Sequence, residues 1–475
     1  MSGHDPGAAY PPGVPATHPA PSVPLTRLLD DAAQDFPDTD AIDLAGHRLT
    51  YREVLEHVDR LATVLADAGV APGDRVATLL PTGPALLVTV FATWRLAAVC
   101  VVLEPDLEGE AIAEALERHR GRVVVADPAA YAHLAAHRGA LPSVERVLVA
   151  APAEFQPFPR NLRPAARWSP LRARRERAGR FKEAIRRTAA EVGQAPLPGE
   201  ATAAIVGGVA LSHDVLVAAA FALRLWVPDV RAGGETLLLA VPLWRPLGLA
   251  AALGLGVLAA ATLALPSASA PEAALRGARR RRPTLLVGTA GLAGTLARVG
   301  GSLADLRVAL VGGPVDEDEV ARLHEVSGAR LRGVLEGPAG PVAAHPVYGD
   351  ARLGSCGHAL TDVTLAALDA DGRTLPVGGV GRLAAQGPSV PGAGWWPLGV
   401  GGHVDADGYA WLAEAHPHAD SPSEPVPGAP APGDPAPGEA APGEAAPGEP
   451  ALREPAPGAS DPDPGGSGSG EPDRR

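Results

Sequence analysis

Short runs of apolar residues alternate with helical stretches along most of this chain, and that alternation leaves few folds open. Val99–Leu103, Val123–Ala126 and Arg146–Val149 are four or five residues long and apolar on almost every position. A strand that is apolar on both faces must be covered on both, as in a parallel sheet with helices packed above and below. The intervening segments supply such helices. Tyr51, Val54, Leu55, Val58, Leu61, Ala62 and Leu65 recur at helical spacing, with Thr50 and Glu53 placed as a capping box and Gly69 as a stop, which predicts a helix over 50–68. Asp74–Leu80 reads as a strand and Pro84–Leu96 as a helix. The alternation resumes after Ala203, with strands expected over Thr236–Val241, Thr284–Gly288 and Arg307–Val311. From Val363 the period shifts toward two. Asp369-Ala-Asp-Gly372 and Asp405-Ala-Asp-Gly408 are hairpin-type turn signals, so a small β subdomain is expected there.

The ends of the chain follow a different rule. Residues 1–24 are rich in Pro and Gly without periodicity, which predicts a disordered leader. Residues 413–475 are low in complexity, with Ala-Pro-Gly-Asp/Glu recurring from Ala431, Ala436, Ala441 and Ala446, and are expected to form a disordered acidic tail. Between them lie two expected regions, α/β subdomains over 25–340 and the β subdomain over 341–412. The tail from Glu414 holds 12 acidic and 3 basic residues, a net of −9 out of −13 for the whole chain. The body is therefore nearly neutral, which counts against a nucleic-acid binder.

Residues 160–187 run the other way, at a net of +9. They read as a solvated surface segment, as a docking site for the acidic tail, or as a site for an anionic protein partner or membrane surface. The run Leu247–Leu265 is 19 residues without a charge. Its Ala, Gly and Leu content and its bounding Pro246 and Pro266 predict a buried helix followed by a strand, not a transmembrane span. Cys100 and Cys356 offer neither a disulfide framework nor a metal pair, and the Pro-rich start has no signal-peptide pattern, so a reducing, cytoplasmic setting is expected. Of 41 basic side chains only one, Lys182, is a lysine.

The order of four motifs is similar to that of the AMP-forming adenylation superfamily, which includes the acyl-CoA synthetases. Leu49-Thr-Tyr-Arg-Glu-Val-Leu55 resembles the family's first helix start, and Pro72-Gly-Asp-Arg-Val-Ala77 with Trp94–Val99 its second motif. Val206-Gly-Gly-Val-Ala-Leu-Ser-His213 resembles the end of its phosphate loop, and Asp371–Pro376, Gly378–Leu383 and Asp407–Tyr409 its β subdomain. The resemblance spans about residues 25–412 and is nearest to the fatty-acyl-CoA synthetase branch. It implies two stacked αβα subdomains followed by a small β subdomain. The activity it implies is ATP- and Mg²⁺-dependent formation of an acyl adenylate, followed by transfer to a thiol. Gly207 and Gly208 then stand as remnants of the phosphate loop, and Gly312, Gly313 and Pro314 as a turn bordering the nucleotide. Trp244 and Arg245 would line the acyl pocket, with Arg245 where the family has His.

The same comparison marks what is missing. About eight residues of the phosphate loop are absent before Gly207, including its hydroxyls, most of its glycines and its Lys. Leu335-Glu336-Gly337 runs into Pro338, without the aromatic and the metal-binding Glu of the family motif; Glu336 precedes that position. Leu398, Gly399 and Val400 replace the Thr-Gly-Asp that holds the ribose. The Lys-bearing C-terminal domain is replaced by the tail. Adjacent Ser212 and His213 match a structural pair, not a nucleophile and its base. No catalytic residue and no metal ligand can be assigned from these positions, and ATP and Mg²⁺ would be needed only if activity survives. Three functions stay open: a degenerate, catalytically inactive synthetase-like protein; a residual ligase, or one completed in trans by a separate Lys-bearing domain; and a non-catalytic scaffold for a fatty acid, another acyl ligand or a protein.

Overall fold

The computed structural model describes residues 10–413 apart from 108, 138, 140, 156–177, 267–274, 276–278 and 300–302. The tail over 414–475, the leader over 1–9 and the greater part of the basic segment lie outside the described residues.

The body begins with α1 (Thr26–Asp35), β1 (Asp40–Leu44), β2 (His47–Thr50) and α2 (Tyr51–Asp67). Both halves of the Thr50–Glu53 capping box form at the start of α2, a contribution of about 1 kcal/mol. The chain then alternates through β3 (Arg75–Leu79), α3 (Pro84–Arg95), β4 (Val99–Leu103), α4 (Glu110–Arg118), β5 (Val123–Ala126), α5 (Pro128–Ala136) and β6 (Arg146–Val149). β7 (Ala178–Arg180), α6 (Phe181–Arg187), β8 (Thr202–Val206) and β9 (Val209–Ser212) complete this part. The strands form a seven-stranded sheet in the order β7-β6-β5-β3-β4-β8-β9, parallel except at the β8–β9 hairpin. The described part of the basic segment is thus built into a sheet edge and a helix.

A second layer follows: α7 (His213–Trp226), β10 (Thr236–Ala240), α8 (Pro246–Ala251), β11 (Thr262–Leu265), β12 (Leu285–Gly288), α9 (Leu292–Val299), β13 (Val308–Gly312), α10 (Glu317–Ser327), β14 (Arg330–Gly337), β15 (Gly340–Ala344) and β16 (His358–Ala359). Its nine-stranded sheet runs β16-β15-β14-β13-β12-β10-β11-β1-β2, with a parallel core from β1 to β14. The uncharged run resolves as expected: α8 continues as a π-helical segment over Ala252–Val257 and then enters β11. No helix among the described residues is long and apolar enough to cross a membrane.

β17 (Thr364–Leu368), β18 (Gly381–Gln386), β19 (Trp396–Val404) and β20 (Ala410–Leu412) form the antiparallel β subdomain, with both Asp-Ala-Asp-Gly sequences at its turns. β15 and β16 hydrogen-bond into the nine-stranded sheet. The boundary expected at 341 therefore moves to about residue 360. A parallel-type sheet that ends in an antiparallel hairpin carries no mark in the local pattern.

Why the layers lock together is visible in their polar anchors. Every residue of α3 is buried, as a helix enclosed on all sides must be. Trp94 at its end donates Nε1–H to the Ala203 carbonyl at 2.8 Å, and Trp226 at the end of α7 donates to the His345 carbonyl at 3.0 Å. Arg95, 7% exposed, holds Asp30 at 2.7 Å and Asp59 at 3.0 Å, joining α1, α2 and α3.

The leader expectation is also narrowed. Residues 10–24 form an extended strap on the body. Tyr10 Oη donates to the Leu360 carbonyl at 3.1 Å, Thr361 Oγ1 to the Pro15 carbonyl at 2.8 Å and the Asp362 N–H to the Ala16 carbonyl at 3.0 Å. Ser22 Oγ donates to Asp214 at 2.8 Å. Proline lacks one backbone donor but is well suited to an extended segment pinned by its carbonyls.

Candidate functional site

In open parallel sheets, ligands sit beyond the carboxyl ends of the strands, where the strand order reverses. In the nine-stranded sheet that point is β10, which lies between β11 and β12. The loops leaving this edge carry Trp244 and Arg245 after β10, Thr289 and Ala290 after β12, Gly313 and Pro314 after β13, and Pro338 and Ala339 after β14. The Leu243 N–H donates to Thr82 Oγ1 at 2.9 Å. Thr82 follows β3, so the carboxyl edges of the two sheets meet here.

Arg245 and Glu336 converge at this edge. Arg245 Nη2 lies 3.8 Å from Glu336 Oε1, within ion-pair range but beyond hydrogen-bond length. The Glu336 carboxylate leans over Gly312, where a Cβ would come within 2.9 Å of Oε1. Burial raises the pKa of Glu336, and the Arg245 guanidinium opposes that rise. Arg245 is one-third exposed, at 33%, and Trp244 beside it is half-buried. Gly312 and Gly313 form the expected turn, but the Gly313 N–H is already donated to the Val334 carbonyl at 2.7 Å. Pro314 has no donor to offer.

Gly207 and Gly208 lie elsewhere on the fold, at the carboxyl end of β8. They are the two central residues of the β8–β9 hairpin, with Val206 paired to Val209 across the turn. Their φ values of +57° and +80° are those of a type I′ turn, which requires a positive φ at both positions. Such a turn folds the chain back in two residues and does not curl several N–H groups around one anion. The β14–β15 connection is equally short, with Gly337 paired to Gly340 around Pro338 and Ala339. Leu398, Gly399 and Val400 lie inside β19.

Ser212 and His213 serve structure. Ser212 Oγ caps α7 by accepting from the Val215 N–H at 3.2 Å, while His213 Nδ1 accepts from the Leu25 N–H at 3.2 Å. Lys182 is remote from this edge, in the first turn of α6, donating to the Glu154 carbonyl at 2.7 Å. Among the described residues, no group of three or more His, Cys, Asp or Glu side chains is arranged to hold a metal ion. The sequence did not pair Arg245 with Glu336, 91 positions apart. Their common position at strand ends beside a switch point is the signal that could have done so.

The AMP-binding enzyme profile matches residues 29–194 and 207–392. The chain belongs to the AMP-binding enzyme family. The match breaks over residues 195–206 and resumes at Gly207. Within the family, the chain is 24% identical over 445 residues to a long-chain-fatty-acid–CoA ligase of Bacillus subtilis (strain 168), covering 86% of this chain and 79% of that protein. It is 30% identical over 408 residues to a feruloyl-CoA synthase of Amycolatopsis, covering 79% and 75%. Its fold matches the crystal structure of a long-chain-fatty-acid–CoA ligase from Archaeoglobus fulgidus with a TM-score of 0.71 at 18% identity, over 85% of this chain and 86% of that one. It also matches an anthranilate–CoA ligase solved with anthranoyl-AMP, with a TM-score of 0.70 at 19% identity, over 84% and 78%. The chain therefore shares the α/β fold of these ligases.

Proposed function

We propose that this protein keeps the ligase scaffold and does not form acyl adenylates. The observation that carries this reading is the two-residue turn at Gly207 and Gly208. Attack of a carboxylate on the α-phosphate of ATP builds charge on phosphoryl oxygens, and its acceleration comes from donors and cations positioned in advance. Here the flanking Val206 and Val209 are paired in the hairpin, no hydroxyl stands in the turn, and the one Lys lies in α6. The residues present do not fit ATP with Mg²⁺: Glu336 faces a guanidinium, not a second carboxylate. Removing a single preorganised donor costs about 10²–10³ in rate, so losing several together abolishes the step.

ATP–pyrophosphate exchange across a panel of carboxylic acids is the direct test. The expected result is no exchange above the protein-free background. Exchange that requires both ATP and one of the acids overturns the proposal.

Arg245 favours one further role, the binding of a carboxylate without activating it. Its guanidinium makes no protein hydrogen bond among the described residues, and a bidentate carboxylate would satisfy it better than Glu336 at 3.8 Å. Calorimetry with the same acids should show binding that Arg245→Gln weakens by about 1.5–3 kcal/mol, the range for a hydrogen bond to a charged group. Equal binding by the variant removes Arg245 from this role.

A further inference from the structure

Arg245 and Glu336 face each other without closing a hydrogen bond. Arg245 Nη2 and Glu336 Oε1 are 3.8 Å apart, and the two side chains are 33% and 26% exposed. Among the described residues no hydrogen bond reaches either head group. Charged pairs that hold a fold together are normally closed by direct hydrogen bonds. Arg95 with Asp30 at 2.7 Å and Arg307 with Glu235 at 2.8 Å are examples here. The pair at the carboxyl edge stays open, at the place where open parallel sheets receive ligands.

One carboxylate fits across the gap. Its two oxygens lie about 2.2 Å apart, so each can stand about 2.9 Å from one head group in a common plane. Arg245 then donates to the first oxygen, and the second oxygen meets Glu336. Two ionised carboxylates cannot share such a contact, so one of them must hold a proton. The fold forces that contact. The Glu336 backbone is paired to Pro341 in the β14–β15 hairpin, and its carboxylate occupies the space that a side chain at position 312 would fill. The loop after β10 brings Arg245 to the carboxylate. The other elements around it, α8, Gly312 and Gly313 after β13, Ala290 after β12 and Pro341 of β15, bring no titratable side chain. Burial acts in the same direction by raising the pKa of Glu336, while Arg245 opposes it in the empty site.

We propose that Arg245 and Glu336 form one receptor for a free carboxylic acid, in which Glu336 takes up a proton as the acid anion binds. This rests on the carboxylate-binding role given to Arg245 above and adds a second arm to it. The ligand carboxylate accepts from Arg245 Nη2–H at one oxygen and from the new Glu336 O–H at the other. The proton comes from solvent, and no other bond is made or broken. An acyl thioester has no second anionic oxygen and binds without this uptake. The site therefore selects free acids and holds them more tightly as the pH falls.

Calorimetry of octanoate and benzoate binding to the full chain at pH 8, in two buffers of different ionisation enthalpy, counts the protons taken up. The expected count approaches one per acid bound, and the affinity should fall by up to about tenfold from pH 7 to pH 8. Glu336→Gln carries a fixed N–H donor in place of the acquired O–H. It should bind the same acids with a count near zero and little dependence on pH. Benzamide supplies its own donor to the ionised Glu336 and should bind the parent protein without proton uptake. Acid binding by the parent with no proton taken up overturns the inference and leaves the role of Arg245 standing. So does a proton count in Glu336→Gln, at an unchanged melting temperature, or with benzamide, that equals the parent's with benzoate. If neither acid binds at pH 5.5, 7 or 8, both proposals fall together.

Discussion

Between pH 7 and pH 4 the protein should lose several kcal/mol of stability through two buried imidazoles. His213 and His345 are 1% and 0% exposed, and both are pushed down to a pKa of about 4. Burial is the main cause for each, with Asp214 opposing it at His213 and the Arg332 charge adding to it at His345. In the unfolded chain an imidazole takes up its proton near pH 6.5. The unfolded state therefore binds more protons throughout the window, so stability is full above pH 6.5 and falls as the pH drops toward 4. The loss amounts to roughly 3 kcal/mol for each imidazole.

The structural reason is explicit in the hydrogen bonds. His345 Nδ1 accepts from the Gly333 N–H at 3.0 Å, and His213 Nδ1 accepts from the Leu25 N–H. A proton on either nitrogen turns the acceptor into a second donor, facing the backbone N–H. Glu336, Asp59 and Asp127, whose pKa values are raised by burial, oppose part of the loss because the folded state takes up their protons first. Urea unfolding at pH 7, 5.5 and 4 checks the slope. His345→Gln should flatten it relative to the parent, and a parent curve that is level over this range would refute the assignment.

Gly357→Ala is expected to be the most damaging small substitution, at about 4 kcal/mol or more. Gly357 has a φ of +90°, and a Cβ there would lie 2.0 Å from the Ala344 carbonyl carbon and 2.2 Å from the His345 nitrogen. Both are backbone atoms of the neighbouring strand and cannot swing aside. Relief would require parting β15 from β16. Gly349 is the control. Its φ is +94°, but nothing lies within 4 Å of the added carbon, so Gly349→Ala should cost only the conformational strain of about 1 kcal/mol. Thermal unfolding of the two variants separates collision from strain, and equal losses would show that the contact does not matter.

These two sites illustrate what was legible in the sequence. The helix at 50–68 declared itself because its cap, its periodicity and its stop are all local. The strands of the parallel cores were visible for the same reason. Ser212 and His213 could be recognised as structural, but not that His213 receives the Leu25 N–H across 188 positions. The strap over 10–24 was hidden because its anchors at Leu360, Asp362 and Asp214 are distant, while its own composition gives no period. The departure from the family's phosphate-loop motif before Gly207 was a reading of the sequence by resemblance. That a type I′ turn closes the gap follows from Val206-Gly-Gly-Val209 only once Val206 and Val209 are known to pair.

That turn also bears on the history of the chain. Gly207 and Gly208 close β8 onto β9 in the shortest geometry a hairpin allows, and the space beside Gly208 is open. A lost side chain can return by one base change, but a lost stretch of backbone cannot. No series of point substitutions here would rebuild a loop around a phosphate; only an in-frame insertion would, and the unobstructed hairpin tip is a place where the fold can accept one. On the function proposed above, such a deletion would work as a ratchet, freeing the rest of the surface to drift away from nucleotide chemistry while leaving one defined position at which a designer could try to reverse it.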